Sequence, residues 1–202
     1  MKLGPRYKIA KRLGAQIFEK TQTRAFTLSA ERSAASKKKK GRGGSDYSKQ
    51  LIEKQKLRLT YGLTEKQFSS YVAKALENHV NPQGILFGLL ETRLDATAYR
   101  AGFAPTRRAA RQMASHGHLL VNGVRSTIPS QRLHVGDVVS LREGSKESGL
   151  FTGLDDKFKE FKFPSWLSVN VETKEAKLEN EPAYSKEDTA ADIGAVFEYY
   201  TR

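Results

Sequence analysis

The chain has 202 residues, with 35 Lys and Arg against 22 Asp and Glu, for a formal charge of +13. Hydrophobic residues make up 38%, thin for one compact globule of this length, so one or two domains of roughly 100–150 residues plus non-globular segments are expected. The absence of cysteine excludes disulfides, thiolate catalysis and every Cys-containing zinc site. No run approaches the ~18 apolar residues of a membrane span, and Met1–Arg12 lacks the apolar stretch of a secretion signal. The expectation is a soluble intracellular protein whose charge calls for a polyanion.

The charge is uneven. Residues 1–60 carry 17 Lys/Arg against 4 Asp/Glu, residues 91–142 carry 8 against 3, and residues 143–202 carry 8 against 13. Two basic blocks joined to an acidic end fit a surface that meets nucleic acid over only part of its area.

Residues 1–45 show little sustained periodicity and read as a basic N-terminal arm. Within it, Lys37, Lys38, Lys39 and Lys40 run into Gly41-Arg42-Gly43-Gly44. Like charges repel and glycines add chain entropy, so this stretch should order only against counter-charges. It has neither the spacing nor the strand–loop–helix context of a phosphate-cradling loop.

Helical order is expected from Asp46, a candidate N-cap, with Leu51, Ile52, Gln55 and Leu59 on one face and Lys49, Lys54, Lys56 and Arg58 largely elsewhere. Gly62 suits the stop. Thr64-Glu65-Lys66-Gln67 is a capping-box pattern opening a second helix, in which Phe68, Tyr71, Val72, Ala75, Leu76 and His79 form a core stripe ended by Asn81-Pro82. A third helix over Ile85–Leu90 is expected to run on through Leu94–Tyr99 towards Gly102.

Pro105-Thr106 opens a fourth helix that stops at Gly117. On it Arg107, Arg108 and Arg111 crowd one face at spacings of three and four, a repulsion that something outside the helix must neutralise. Ala109, Ala110, Met113 and Ala114 are small enough to pack on the preceding helix. The period then changes to strands: Leu119–Val121, the hairpin signal Asn122-Gly123, Val124-Arg125, Leu133-x-Val135, a turn at Gly136-Asp137, and Val138–Leu141. Ser145–Gly149 reads as a linker, Phe151–Phe163 as a short amphipathic helix, Pro164–Val171 as a strand, and Ala195–Tyr200 as an apolar segment that docks on a neighbouring domain.

Catalytic chemistry is hard to find. His116-x-His118 lacks a third metal ligand, and Asp155-Asp156 and Glu187-Asp188 sit in a charge-mixed segment that reads as solvated surface. No metal or cofactor is expected.

Leu89-Leu90-Glu91-x-Arg93-Leu94-Asp95, Tyr99-Arg100-x-Gly102-Phe103, Thr106-Arg107, Ala110-Arg111-Gln112 and Ser115-His116-Gly117-His118-x-x-Val121-Asn122-Gly123 together resemble the S-four RNA-binding domain. That small helix–helix–strand module occurs in ribosomal proteins, pseudouridine synthases and some tRNA synthetases. Leu3-Gly4-Pro5, Ser45-Asp46-Tyr47, the run Gln50–Gly62, Pro164-x-Trp166-Leu167 and Ala191-Asp192-Ile193 extend the resemblance to the family of small-subunit ribosomal protein four, of the bacterial type. Some members carry a cysteine zinc knuckle, which this composition excludes. Where relatives carry a Pro-Gly-x-His-Gly turn before Ser45, this chain has the lysine run and its glycines.

The resemblance implies an α+β protein: a basic arm over 1–45, a helical domain over 46–90 completed by 187–202, an S-four-type RNA-binding domain over 91–153 (a helix-turn-helix followed by short antiparallel strands), and a β-containing segment over 154–186. It also implies a non-catalytic protein of the small ribosomal subunit. Such a protein binds the 5′ domain of the rRNA, nucleates assembly at a multi-helix junction, and lines the mRNA entry channel beside ribosomal proteins three and five. Its place is the cytoplasm, or an organelle stroma.

Guanidinium forks suit phosphate oxygens, so Arg107, Arg108 and Arg111 would grip the backbone, with Arg93, Arg100 and Arg125 extending the footprint and His116, His118 and Asn122 at its edge. Arg93, beside Asp95, also reads as a structural ion pair. Lys37–Lys40, Arg42, Lys54, Lys56 and Arg58 would add attraction indifferent to sequence. An enzyme using the module as a docking accessory would need a catalytic domain that the acidic segment of roughly 50 residues after Ser148 cannot house. A factor acting on free subunits is the other alternative, and it would wash off in high salt.

Overall fold

The computed structural model describes residues 4–38, 45–146, 148–151, 153–154, 158, 161–185 and 189–202. The chain forms two compact units, Met1–Gln83 with Ser185–Arg202, and Gly84–Tyr184. The first is helical and the second mixed, so the fold class is α+β.

The first unit opens with α1 (Arg6–Leu13), ended by Gly14 at φ 67°, then a 3-10 turn at Glu19–Thr21 and α2 (Arg24–Lys38). Ala10, Leu13, Phe18 and Phe26 bury together with Leu59. The arm expected over residues 1–45 is therefore corrected for residues 6–38. Its apolar side chains are too sparse to mark a face locally, and they find their core in a helix more than thirty residues away. Lys37 and Lys38 end α2, while Lys39, Lys40 and Arg42 lie outside the described residues.

Helix α3 (Asp46–Thr60) is capped by Ser45, whose hydroxyl accepts from the Ser48 N–H, so Asp46 is the first helical residue and not the cap. Its inner face also differs from expectation. Gln50, Lys54, Leu57 and Leu59 are buried, while Leu51, Ile52 and Gln55 are half-buried. Polar side chains can turn inward because partners wait there. Gln50 Nε2 donates to Glu198 at 2.7 Å, and Lys54 Nζ donates to Glu65 at 2.8 Å while lying 4.2 Å from the Tyr199 ring centre. Helix α4 (Glu65–Leu76) carries the capping box of Thr64 and Gln67 and buries Phe68, Val72 and Ala75. It ends before His79, which is exposed.

The second unit takes up α5 (Pro82–Glu91) from Gly84. The continuous helix expected through Leu94 is broken, because Arg93 is extended and α6 (Leu94–Arg100) starts afresh. The break frees backbone groups for a loop docked alongside. Leu94 N–H donates to Gln131 O at 2.9 Å, Leu133 N–H donates to Thr92 O at 2.8 Å, and Arg93 bridges Arg132. Those bonds also explain why Leu133–Val135 is not a strand. Helix α7 (Arg107–Ser115) is capped by Thr106, and Gly117 at φ 73° turns the chain out of it.

Strands β1 (Leu119–Val121), β2 (Val124–Ser126), β3 (Val138–Leu141), β4 (Leu167–Asn170) and β5 (Glu175–Leu178) form one antiparallel sheet in the order β2-β1-β3-β5-β4. Val121 pairs with Val124 around Asn122 (φ 51°) and Gly123 (φ 79°), the two positive φ values of a type I′ hairpin. The segment expected as separate over 154–186 joins the same sheet through β3 and β5. A short helix α8 (Glu143–Lys146) and a 3-10 turn (Gly149–Phe151) replace the expected linker. Leu94, Ala110, Leu119, Leu141, Phe158 and Leu178 share one core. Helix α9 (Ile193–Tyr200) returns to the first unit and packs along α3. No described helix is long and apolar enough to cross a membrane.

Candidate nucleic-acid interface

Helices α5, α6 and α7 are tied together by two buried carboxylates and four arginines. Glu91, 0% exposed, accepts from Arg100 Nε and one terminal nitrogen at 3.0 Å each and from Arg107 at 2.8 Å. Asp95, 5% exposed, accepts from Arg93 at 2.9 Å through both Nε and a terminal nitrogen, and from Arg111 Nε at 2.8 Å. Thr97 Oγ1 donates to Glu91 O at 3.0 Å and fixes the turn between the helices. Buried carboxylates of this kind are tolerated only with such partners, and removing one partner is costly.

This network relieves part of the repulsion expected on α7 from outside that helix, with carboxylates of the protein itself. Arg107 and Arg111 are neutralised from inside, by Glu91 and Asp95, and Arg107 also lies 4.8 Å from the Tyr99 ring centre. Arg93, 2% exposed, is a structural partner of Asp95 and not a surface contact. The side chains of Arg100, Arg107 and Arg111 keep 25%, 16% and 30% of their surface, although Nη1 of Arg107 is itself buried. Arg108 is exposed on the stripe that also holds Gln112 and Ser115, at spacings of four and three.

Beyond α7 the exposed His116 and Arg125 continue this side. The Arg125 guanidinium lies over Gly117, so close that a Cβ there would collide with it, and it donates to His116 O at 3.2 Å. His118 is half-buried, its Nδ1 3.0 Å from Ser145 Oγ. Asn122 is exposed, but its side chain is spent on the fold: Nδ2 donates to Asp137 and Oδ1 accepts from Val138 N–H, both at 2.8 Å. Burial opposes ionisation of Asp137, yet the His134 N–H, the Asn122 amide and the His134 ring outweigh it and hold the carboxyl below its usual value of 3.8.

In the first unit Lys54 is corrected from a surface contact to the buried partner of Glu65. Lys56 pairs with Glu53 at 2.6 Å, and Arg58 donates to Gln55 at 2.8 Å. Arg132 and Arg142 are exposed on the second unit and escaped sequence reasoning, for want of a helical spacing to flag them. Sequence reasoning reaches Asp95 only as the partner of Arg93 and does not single out Glu91 as a centre of the site. Their signal was the excess of arginines nine and sixteen residues onward. Among the described residues, no three His, Asp or Glu gather where they could hold a metal ion.

A carboxylate-braced arginine surface on a helix pair followed by a short sheet defines the S4-type RNA-binding class. The S4 domain family model matches residues 92–139, and the Ribosomal protein S4/S9 N-terminal domain model matches residues 2–91. Small ribosomal subunit protein uS4 of Chromobacterium violaceum is 38% identical over 202 residues, covering 99% of this chain and 98% of the relative. The proteins of the same name from Persephonella marina and Lactiplantibacillus plantarum are also 38% identical, over 203 and 202 residues; each covers 98% of this chain, and 98% and 97% of the respective relative. The chain belongs to the ribosomal protein S4 family, whose members are structural constituents of the small ribosomal subunit and not enzymes.

Proposed function

We propose that this protein is an rRNA-binding constituent of the small ribosomal subunit, acting by holding RNA geometry and not by catalysis. The observation that carries the reading is the arginine surface braced by Glu91 and Asp95, which lies within the S4-domain match and extends to Arg125. Fixed guanidiniums at the solvent boundary suit phosphates, and a structured RNA is recognised mainly through its phosphates, 2′-hydroxyls and shape. The footprint is Arg100, Arg107, Arg108, Arg111 and Arg125, with His116 and His118 at the edge, while Asn122 serves the hairpin instead.

The RNA proposed is the 5′ domain of the small-subunit rRNA, where contact with several helices would nucleate assembly of the subunit body. The remaining surface would line the mRNA entry channel beside ribosomal proteins three and five and so bear on accuracy. The setting is the cytoplasm. A direct test is binding to a 5′-domain rRNA fragment across a salt series. With about 6–8 phosphates engaged, log K against log[salt] is expected to slope at about −4 to −7. A slope near −1, or loss of the protein from salt-washed subunits, would contradict the reading.

A further inference from the structure

Four of the eight arginines from Glu91 to Arg142 share two carboxylates, and both carboxylates are buried. A protein with a formal charge of +13 attracts any polyanion, so its difficulty is discrimination and not affinity. An exposed arginine such as Arg108 can swing to meet a phosphate wherever it arrives. Arg100 cannot, because Glu91 takes Nε and a terminal nitrogen together at 3.0 Å each and so fixes the plane of its guanidinium. Arg111 is held at Nε by Asp95, and Arg107 by Glu91 beneath the Tyr99 ring.

Resting on the proposed rRNA function, we infer that Glu91 and Asp95 are the specificity-determining residues of the interface. They hold Arg100, Arg107 and Arg111 in set directions, which reward an RNA whose phosphates arrive in matching positions and withhold those arginines from unstructured RNA. They touch no RNA themselves and act as positioning residues. Glu91 is wholly buried while the Arg100 and Arg111 side chains retain 25% and 30% of their surface, so these two can serve a phosphate and a carboxylate together, with Arg107, whose Nη1 is buried, set deeper. A role limited to stability would need the ion pairs but not their placement at the solvent boundary.

The experiment compares the full-length protein with Glu91→Gln and Asp95→Asn in binding two probes, a 5′-domain rRNA fragment and single-stranded polyuridylate. Arg108→Gln serves as the comparison. In Glu91→Gln the freed Arg100 and Arg107 should steepen the salt dependence on polyuridylate by about 1.4, at ~0.7 per phosphate on a single strand. The ratio of rRNA to polyuridylate affinity should fall by at least about fivefold. Arg108→Gln should weaken both probes and leave the ratio nearly unchanged. If Glu91→Gln, folded by circular dichroism, lost affinity for both probes in parallel or kept the wild-type ratio, the inference would be wrong.

Should the carboxylate variants fail to fold, arginine Nε–H exchange in the free wild-type protein decides. Arg100 and Arg111 must exchange more slowly than Arg108, and equal rates would overturn the proposal. A wild-type protein that bound both RNAs alike would sink the rRNA reading itself. That outcome is distinct from a wild-type preference that survives in Glu91→Gln.

Discussion

Gly117 shows how one residue serves both the backbone and the interface. Its φ of 73° is comfortable only for glycine, and its missing side chain leaves the space in which the Arg125 guanidinium lies. In Gly117→Ala the left-handed backbone should cost about 1–2 kcal/mol. The guanidinium is the far end of a flexible side chain and can swing away, so the new methyl group displaces Arg125 without unfolding the strand. A lowered Tm together with weaker RNA binding is expected, whereas Arg125→Gln should weaken binding at nearly unchanged Tm. Asp137 carries a pH dependence of definite sign. Its carboxyl titrates lower in the folded state than in the unfolded chain, so its contribution is full at neutral pH and fades as pH falls below about 4. The gap in urea midpoint between the wild type and Asp137→Asn should therefore close on acidification. A gap that stayed constant with pH would contradict this account.

At the scale of elements, the second unit was far more legible than the first. Thr106 before Arg107, glycines at 102 and 117, and Asn122-Gly123 each impose a local geometry, and each stands where its chemistry demands. Strand β5 was not legible, because its alternating Glu175, Ala176, Lys177 and Leu178 carry few β-branched side chains and its place comes from pairing with β3 and β4. Helix α3 misled for the opposite reason. Its inner Gln50 and Lys54 are polar, and the Glu198 and Tyr199 that accommodate them come from more than 140 residues further along the chain. The candidate site divided the same way: residue type found the arginines and the neighbouring Arg93–Asp95 pair, while only the fold revealed that Glu91 and Asp95 also hold Arg100, Arg107 and Arg111. The contact between α4 and α9 yields its own test. Tyr200 Oη donates to Glu65 at 2.8 Å, and burial together with that carboxylate pushes the phenol pKa up, so the hydroxyl keeps its proton at neutral and mildly alkaline pH. Tyr200→Phe should cost about 1 kcal/mol, seen as a lower urea midpoint with an unchanged m-value. A changed m-value would mean that α9 had come away from α4.

For the whole molecule, the charge is segregated by unit. Residues Met1–Gln83 with Ser185–Arg202 hold 21 Lys/Arg against 10 Asp/Glu, whereas Gly84–Tyr184 hold 14 against 12. The unit with the braced arginines is therefore close to neutral, and the long-range attraction for a polyanion arises mostly from the other. Diffuse charge accelerates encounter and sets salt dependence, while fixed guanidiniums decide which encounter is kept. Replacing Lys37, Lys38, Lys39 and Lys40 by Gln removes four charges from the attracting unit and none from the network. The expected outcome is a slower association rate, with a salt slope shallower by about 3 if every lysine meets a phosphate. The preference for rRNA over polyuridylate should survive, because attraction indifferent to sequence strengthens both probes. If the preference collapsed with the lysines, discrimination would reside in that run, and the division of labour between the two units would be wrong.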